Sequence, residues 1–294
     1  MSNKPKILVT GSNGQLGKEL RELASSFTQF EFVFLSKEDM PIHNFELVRI
    51  FFDSVKPAYC INCAAYTAVD KAESERELAF QINGEAVGVL AAVCKEHRTK
   101  FIHVSTDYVF NGGATYPYTE NFPTDPMSVY GASKLEGEKQ ALQLNPDCII
   151  IRTSWVYSSH GKNFVKTMMR LMSEKDSINV VNDQIGSPTY AADLAEAILK
   201  IIDNTQLAIG NWHSGIYNYS NEGIISWFEF AQAIKEIIKG TCEIKPIPTS
   251  AYPTPAKRPA YSVLDKTKIQ ETFEIQLKEW KESLHICIKK IQSS

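Results

Sequence analysis

The chain has 294 residues, enough for a large core in one or two domains, and its 44% hydrophobic and 22% charged content is that of an ordinary globular protein. A net charge of −3 argues against a nucleic-acid partner and against binding to an anionic membrane surface. No apolar run reads as a membrane span, and Met1–Lys6 leads into an apolar strand without a signal-peptide core, so the cytoplasm is the expected location.

The first half alternates short apolar runs with helical periodicity, the pattern of βαβ units around a parallel sheet. In chain order the expected elements are strand 7–9, helix 15–24, strand 32–35, helix 45–55, strand 59–62, helix 75–97, strand 101–105, helix 133–144 and strand 148–152. The strands are aliphatic and β-branched, as in a sheet covered on both faces. Beyond them come strand 178–181, helix 191–202, strand 216–219, helix 226–238 and a closing helix 277–291. That last helix carries Leu277, Trp280, Leu284, Ile288 and Ile291 on one face, a stripe read as core. Five prolines between Pro246 and Pro259 predict an extended loop. The expected fold is α/β: a Rossmann-type parallel sheet with helices on both faces, plus a smaller α/β substrate-binding domain. The expected division assigns 1–152 and 178–204 to the first and 153–177 and 205–294 to the second.

The six cysteines show no disulfide framework. Cys60 and Cys63 form a C-x-x-C, but within a strand. Residues three apart on a strand point to opposite faces, so the pair reads as buried apolar side chains with no metal between them.

Gly11-Ser12-Asn13-Gly14-Gln15-Leu16-Gly17 follows the first strand and opens the first helix. Glycines there permit a tight turn and close backbone approach, and the helix N-terminus offers free amides to a pyrophosphate. In the first βα turn of such a series the motif predicts dinucleotide binding, although its G-x-x-G-x-x-G spacing departs from G-x-G-x-x-G. A carboxylate at the end of the second strand would repel a 2′-phosphate. Ser36 and Lys37 stand there instead, which favours NADPH, with NADH the other candidate because Glu38 and Asp39 follow closely.

Tyr130-Gly131-Ala132-Ser133-Lys134 puts a tyrosine and a lysine on one helix face. Lowering a tyrosine pKa from ~10 to ~7 needs about 4 kcal/mol of stabilisation of the phenolate, which a nearby ammonium and the positive cofactor ring would supply. Upstream, Phe101–Asp107 ends a strand in hydroxyls, so Ser105 or Thr106 can meet Tyr130 where strand ends line the ligand crevice.

Together these motifs resemble the extended short-chain dehydrogenase/reductase family. Within it they resemble the branch that reduces the C4 carbonyl of dTDP-linked 4-keto-6-deoxy sugars. The resemblance runs through Gly14–Gly17, Ala65–Glu73, Ser105–Phe110, Tyr130–Lys134, Arg152–Tyr157, Asn182–Thr189 and Pro253–Pro259. It implies that Tyr130 protonates the carbonyl oxygen, that Thr106 holds that oxygen, and that Lys134 tunes Tyr130 and grips the ribose. It places Ala64, Ala65 and Tyr66 at the cofactor. Asp107, Tyr108 and Trp155 are placed at the sugar, and Val69, Asn163 and Arg258 toward the sugar nucleotide. The implied partner is a dTDP-sugar, with the chain a monomer or homodimer.

Two positions depart from the pattern. Some family members bind Mg²⁺ at a dimer interface through glutamates; Glu19 matches one, but Ala192 occupies another, with Asp193 beside it. No metal is therefore expected. Ser128 stands where the family usually has asparagine, which predicts looser positioning before Tyr130. Dehydration needs a second carboxylate after Asp107, and Tyr108 stands there. Epimerisation, or a binding subunit resembling the regulatory subunit of methionine adenosyltransferase, remain the alternatives. Intact Thr106, Tyr130 and Lys134 favour an enzyme over the latter.

Overall fold

The computed structural model describes residues 4–207 and 212–293. Met1–Asn3, and residues 208–211 and 294 of the expected second domain, lie outside them. The strands are β1 (Lys6–Thr10), β2 (Glu31–Leu35), β3 (Tyr59–Asn62), β4 (Lys100–Thr106), β5 (Ile149–Thr153) and β6 (Val156–Tyr157). They continue as β7 (Ser177–Val181), β8 (Ile185–Gly186), β9 (Thr189–Tyr190), β10 (Gly215–Tyr219), β11 (Ile225–Ser226) and β12 (Glu243–Ile247). The helices are α1 (Gln15–Leu23), α2 (Phe45–Val55), α3 (Val69–Ala72), α4 (Arg76–Phe80), α5 (Ala86–Glu96) and α6 (Val129–Leu144). After them come α7 (Phe164–Glu174), α8 (Ala191–Leu207), α9 (Trp227–Ile238), α10 (Thr267–Phe273) and α11 (Trp280–Gln292).

Six strands form one sheet in the order β10-β5-β4-β3-β1-β2, and every pairing in it is parallel. Helices cover both faces. Leu16 and Leu20 of α1 pack with Leu194, Ile198 and Ile202 of α8 on one side. Val48 and Phe52 of α2 pack with Val87, Leu90 and Cys94 of α5 on the other. Chain order reverses between β1 and β3, and the crevice beyond such a switch point receives ligands.

A second core holds Val165, Met168 and Met172 of α7, Phe230 and Ile234 of α9, and Leu284 and Ile288 of α11. The predicted stripe on the closing helix is thus core at Trp280, Leu284 and Ile288. Pairing moves two segments relative to the expected division. β7 leaves the large sheet and pairs with β12 beside this second core, while β10 completes the large sheet.

Arg76–Glu96 is one continuous helical run of 21 residues, passing through a π turn at Gln81–Glu85, and is long and apolar enough to cross a membrane. Its length corrects the expectation that nothing in the sequence reaches a span. The side chains explain its composition: Val87, Leu90, Ala91 and Val93 are buried against the sheet and α6.

Candidate active site

The phosphate loop closes on glycines that have no room for a side chain. Gly11 has φ +64°, and a Cβ on it would lie 2.6 Å from Ala64 N, at the β1–β3 crevice. A Cβ on Gly17 would lie 2.5 Å from Ser12 Cα. Gly14 is the N-cap of α1 and supplies no side-chain acceptor, and no acidic residue stands in the first turn. The amides of Gln15, Leu16 and Gly17 and the positive helix end are left to an anion, with exposed Asn13 at the rim. These residues fit a dinucleotide pyrophosphate.

At the end of β2, Ser36 Oγ accepts from the amides of Glu38 and Asp39 at 3.2 and 3.3 Å. Asp39 Oδ2 in turn accepts from Ser36 N at 2.9 Å. The carboxylate is folded back onto its own turn and Lys37 is exposed, an arrangement suited to a 2′-phosphate. After β3, Ala64 N donates to Asn62 Oδ1 at 3.2 Å, and Tyr66 N donates to Asn83 Oδ1 at 2.8 Å across half-buried Ala65. Tyr66 OH donates to Glu75 Oε2 at 2.6 Å, so its hydroxyl is held within the chain.

Strand and helix periods bring side chains of β4 and α6 together. Two residues of strand advance about 6.8 Å and four residues of helix about 6 Å. Residues 103 and 105 of β4 can therefore pair with residues 134 and 138 of α6. Lys134 Nζ lies 3.1 Å from His103 Nε2, and Ser105 Oγ donates to Glu138 Oε1. Ser105 is thereby engaged by α6, which leaves Thr106 as the strand-end hydroxyl near Tyr130. Ser128 is the N-cap of α6, its Oγ accepting from Gly131 N at 3.1 Å, while Glu73 Oε1 accepts from Val129 N at 2.9 Å. The departure at 128 leaves the helix carrying Tyr130 and Lys134 firmly capped.

Electrostatics here run opposite to the sequence expectation for Tyr130. Burial pushes its hydroxyl up to about 12, opposed by the Thr106 hydrogen bond and reinforced by Asp107. Lys134 does not acidify it, because its Nζ donates to Val104 O at 2.7 Å and faces His103. Burial pulls Lys134 down to about 8, against the raising effects of Glu138 and Cys63. Asp107 accepts from Thr106 Oγ1 at 3.0 Å, but its Oδ2 has no hydrogen-bond partner, and burial pushes this carboxyl up to about 7.

Next to these groups opens a cavity of about 550 Å³, lined by Tyr108, Trp155, Trp227 and Arg258 among others. Tyr108 packs edge-on against Tyr130 with centroids 5.4 Å apart, joining the cavity to that residue. Trp155, at φ 47°, stacks on Trp227 at 3.5 Å. Gly186 makes room for it, since a Cβ there would lie 2.6 Å from Trp155 Cε2. Arg258 Nη1 and Nη2 donate to Asp70 Oδ1 and Oδ2 at 2.9 and 2.8 Å. That bidentate pair ties the proline-rich loop to α3, beside Val69. Asn163 is the N-cap of α7, and its amide donates to Gln15 Oε1 at 2.9 Å and Ser158 O at 2.7 Å. It joins the phosphate loop to the second core rather than lining the cavity.

Glu19, Glu22 and His160 form a group with ligand atoms within 4.8 Å of one another. Lys290 Nζ bonds both carboxylates, at 3.0 Å from Glu19 Oε2, so an ammonium already bridges them and offsets part of their charge. Asp193 is turned inward onto Asn221, Ser283 and Lys278. This set does not fit a divalent cation.

Sequence reasoning passed over Trp227, His103, Asn62 and Asp70 as functional residues. Trp227 reads as one more apolar residue of an amphipathic helix, and Asn62 and His103 show their partners only when β1, β3 and β4 lie side by side. The Ala65–Glu73 motif, which contains Asp70, was the available signal for that residue.

The RmlD substrate binding domain family matches residues 5–293. A dTDP-4-dehydrorhamnose reductase of Aggregatibacter actinomycetemcomitans is 42% identical over 286 residues, covering 95% of this chain and 97% of that protein. A crystal structure of a dTDP-4-dehydrorhamnose reductase from Clostridium acetobutylicum superposes with TM-score 0.92 at 41% identity, over 98% of this chain and 99% of that one. The corresponding enzyme of Bacillus anthracis, in complex with NADP, gives TM-score 0.92 at 38% identity with the same coverage of both chains. A parallel sheet with a glycine phosphate loop, a Thr-Tyr-Lys group at its crevice and full-length similarity together show that the chain belongs to the dTDP-4-dehydrorhamnose reductase family of NADP-dependent oxidoreductases.

Proposed function

We propose that the protein reduces the C4 carbonyl of dTDP-4-dehydrorhamnose to give dTDP-L-rhamnose, with Tyr130 as proton donor. The observation that carries this reading is the placement of Tyr130, near Thr106, between the phosphate-loop crevice and the aromatic cavity. NADPH bound at Gly11–Gly17 would supply the hydride. With substrate bound, Thr106 Oγ1 would turn its one hydrogen from Asp107 Oδ1 to the carbonyl oxygen, forming a donor pair with Tyr130 OH, and the proton passes from Tyr130 to that oxygen as negative charge develops on it. Burial keeps Tyr130 a phenol at neutral pH, the form reduction consumes. Trp155 and Trp227 give the sugar an apolar wall, and Asp107 and Tyr108 reach its polar edge. Arg258, shared with Asp70, meets the diphosphate through its guanidinium fork, with Val69 beside it. Asn163 positions Gln15 at the phosphate loop, a change from the direct contact expected of it.

The test follows NADPH absorbance with the 4-keto sugar nucleotide. Wild type oxidises NADPH. Tyr130→Phe keeps its NADPH affinity and loses roughly 10²–10⁴-fold in turnover, the usual contribution of a general acid. Wild-type turnover in that variant refutes Tyr130 as the acid. NADPH binding without oxidation by any 4-keto-6-deoxy sugar nucleotide would identify a binding subunit instead.

A further inference from the structure

Reduction requires the one hydrogen of the Thr106 hydroxyl to leave one acceptor for another. Thr106 Oγ1 carries that single O–H and two lone pairs. Tyr108 N donates into one lone pair at 3.2 Å, and Asp107 Oδ1 stands 3.0 Å from the same oxygen. An ionised Asp107 has only lone pairs to offer, so the contact then takes the Thr106 hydrogen. A carbonyl oxygen arriving at Thr106 would compete for it with a buried charge. As the neutral acid, Asp107 can reverse the contact. Its Oδ1–H donates into the second lone pair, both acceptor sites of Oγ1 are filled, and the Thr106 hydrogen is released for the substrate. The resulting chain of donors also polarises Thr106 and strengthens the bond it makes as charge develops on the carbonyl oxygen.

The surroundings favour the acid. Asp107 is buried, and its Oδ2 has no hydrogen-bond partner. Ionisation would spread charge onto that unbonded oxygen. The acid keeps its hydrogen on Oδ1, where Thr106 can accept it, and leaves only a neutral carbonyl oxygen unbonded. Around the carboxyl stand Thr106 of β4, the Tyr108 and Tyr130 phenols, and the Ser262 hydroxyl just after the proline-rich loop. Burial pushes the carboxyl up and outweighs the Thr106 and Ser262 hydroxyls and the amides of Asp107 and Tyr108, which favour ionisation. Among the described residues no cation bonds it. Arg258 is engaged by Asp70, and Lys134 by Val104 O.

We propose that Asp107 is a positioning residue for Thr106: as the neutral acid it donates from Oδ1 to Thr106 Oγ1 and turns the Thr106 hydrogen to the substrate carbonyl, whereas ionised it takes that hydrogen away. The inference rests on reading Thr106 and Tyr130 as the donor pair. Burial brings the Asp107 carboxyl to about 7, so acid and carboxylate coexist at neutral pH and the donating form declines above it. Lys134, brought down by burial to about 8, loses its charge later and separately.

The test is the pH profile of kcat/KM for the 4-keto sugar nucleotide at saturating NADPH, which reports groups of the enzyme before the sugar binds. Wild type, Asp107→Asn and Thr106→Val are compared between pH 6 and pH 9. Wild type should fall from neutrality upward, approaching about tenfold per pH unit. In Asp107→Asn the titrating acid is gone and an amide NH₂ can donate to Thr106 at every pH. In Thr106→Val there is no hydroxyl to turn. Both should lack this fall, Thr106→Val at much lower activity throughout, and keep only the later one that follows Lys134. The wild-type midpoint persisting in Asp107→Asn assigns the fall to another group. Persisting in Thr106→Val, it shows that Asp107 does not act through that hydroxyl, and either result overturns the proposal. A second measurement needs no turnover. The ¹³Cγ signal of Asp107, assigned by its loss in Asp107→Asn, should titrate near neutrality, and titration in the ordinary carboxylate range overturns the proposal too. An inactive protein with the neutral titration sinks the proposed function alone, and an active one with an ordinary Asp107 sinks this inference alone.

Discussion

Replacing Asp107 by asparagine should stabilise the protein at alkaline pH and do much less at acid pH. Asp107 is 2% exposed, its Oδ2 has no partner, and burial raises its pKa from 3.8 to about 7. Below the unfolded value both states hold the proton, and stability is independent of this group. Between the two values the unfolded chain releases the proton while the folded chain keeps it. Stability then falls with rising pH by about 1.4 kcal/mol per unit. Above the folded value the full loss, on the order of 4 kcal/mol, has accrued. Between pH 5 and pH 8 wild type should lose about 3 kcal/mol that Asp107→Asn retains. Urea unfolding of both proteins at pH 5, 6, 7 and 8 measures the difference. A gap between them that does not change with pH would refute the assignment of Asp107 as a buried, largely protonated acid.

Gly17→Ala drives a Cβ into the backbone of Ser12 and should weaken NADPH binding at least tenfold while lowering Tm, checked by calorimetric titration and thermal melting. Breaking the Arg258–Asp70 pair from its two sides should give opposite results. Arg258→Ala raises KM for the sugar nucleotide, whereas Asp70→Asn, which releases the guanidinium, does not; equal increases refute a diphosphate role for Arg258. Glu138→Gln leaves Arg152 buried without its counter-charge, and should cost about 3–5 kcal/mol in urea unfolding. A loss under about 1 kcal/mol shows that Arg152 finds another acceptor.

The parallel sheet was legible because its strands are near-continuous apolar runs between amphipathic helices, and the expected strands 7–9 and 59–62 fall within or on the observed ones. Less was visible where tertiary pairing decides. Ser177–Val181 has the strand pattern, but nothing local says that its partner is Glu243–Ile247, a segment containing Pro246. Pro246 is tolerated because β12 lies at an edge of a two-stranded sheet. Helix α6 starts at Val129 instead of residue 133, since the cap is set by Ser128 and by Glu73 from a distant segment.

At the site, Thr106, Tyr130 and Lys134 could be selected from sequence because strand ends and i, i+4 spacing are local properties. Strand position left Ser105 and Thr106 open and the family resemblance chose Thr106, but that Glu138, itself held by Arg152, takes the Ser105 hydroxyl could not be read there. Nor could the electrostatics of Tyr130, which follow from where the lysine points rather than from how near it is in sequence.

Strand β10 has a consequence for any attempt to divide the protein. It is hydrogen-bonded along β5 from Gly215 opposite Ile149 to Tyr219 opposite Thr153, yet it follows a long stretch of chain that contributes to the second core. A fragment ending at residue 152 would lose this partner and carry an open, apolar β5 edge, a template for aggregation. Separate expression of the front half therefore yields no working cofactor module. Exchange of the substrate-recognition part between relatives needs at least two crossover points, one on each side of Gly215–Tyr219. New specificities on this scaffold are accordingly easier to reach by altering side chains around the Trp155–Trp227 wall than by cassette replacement.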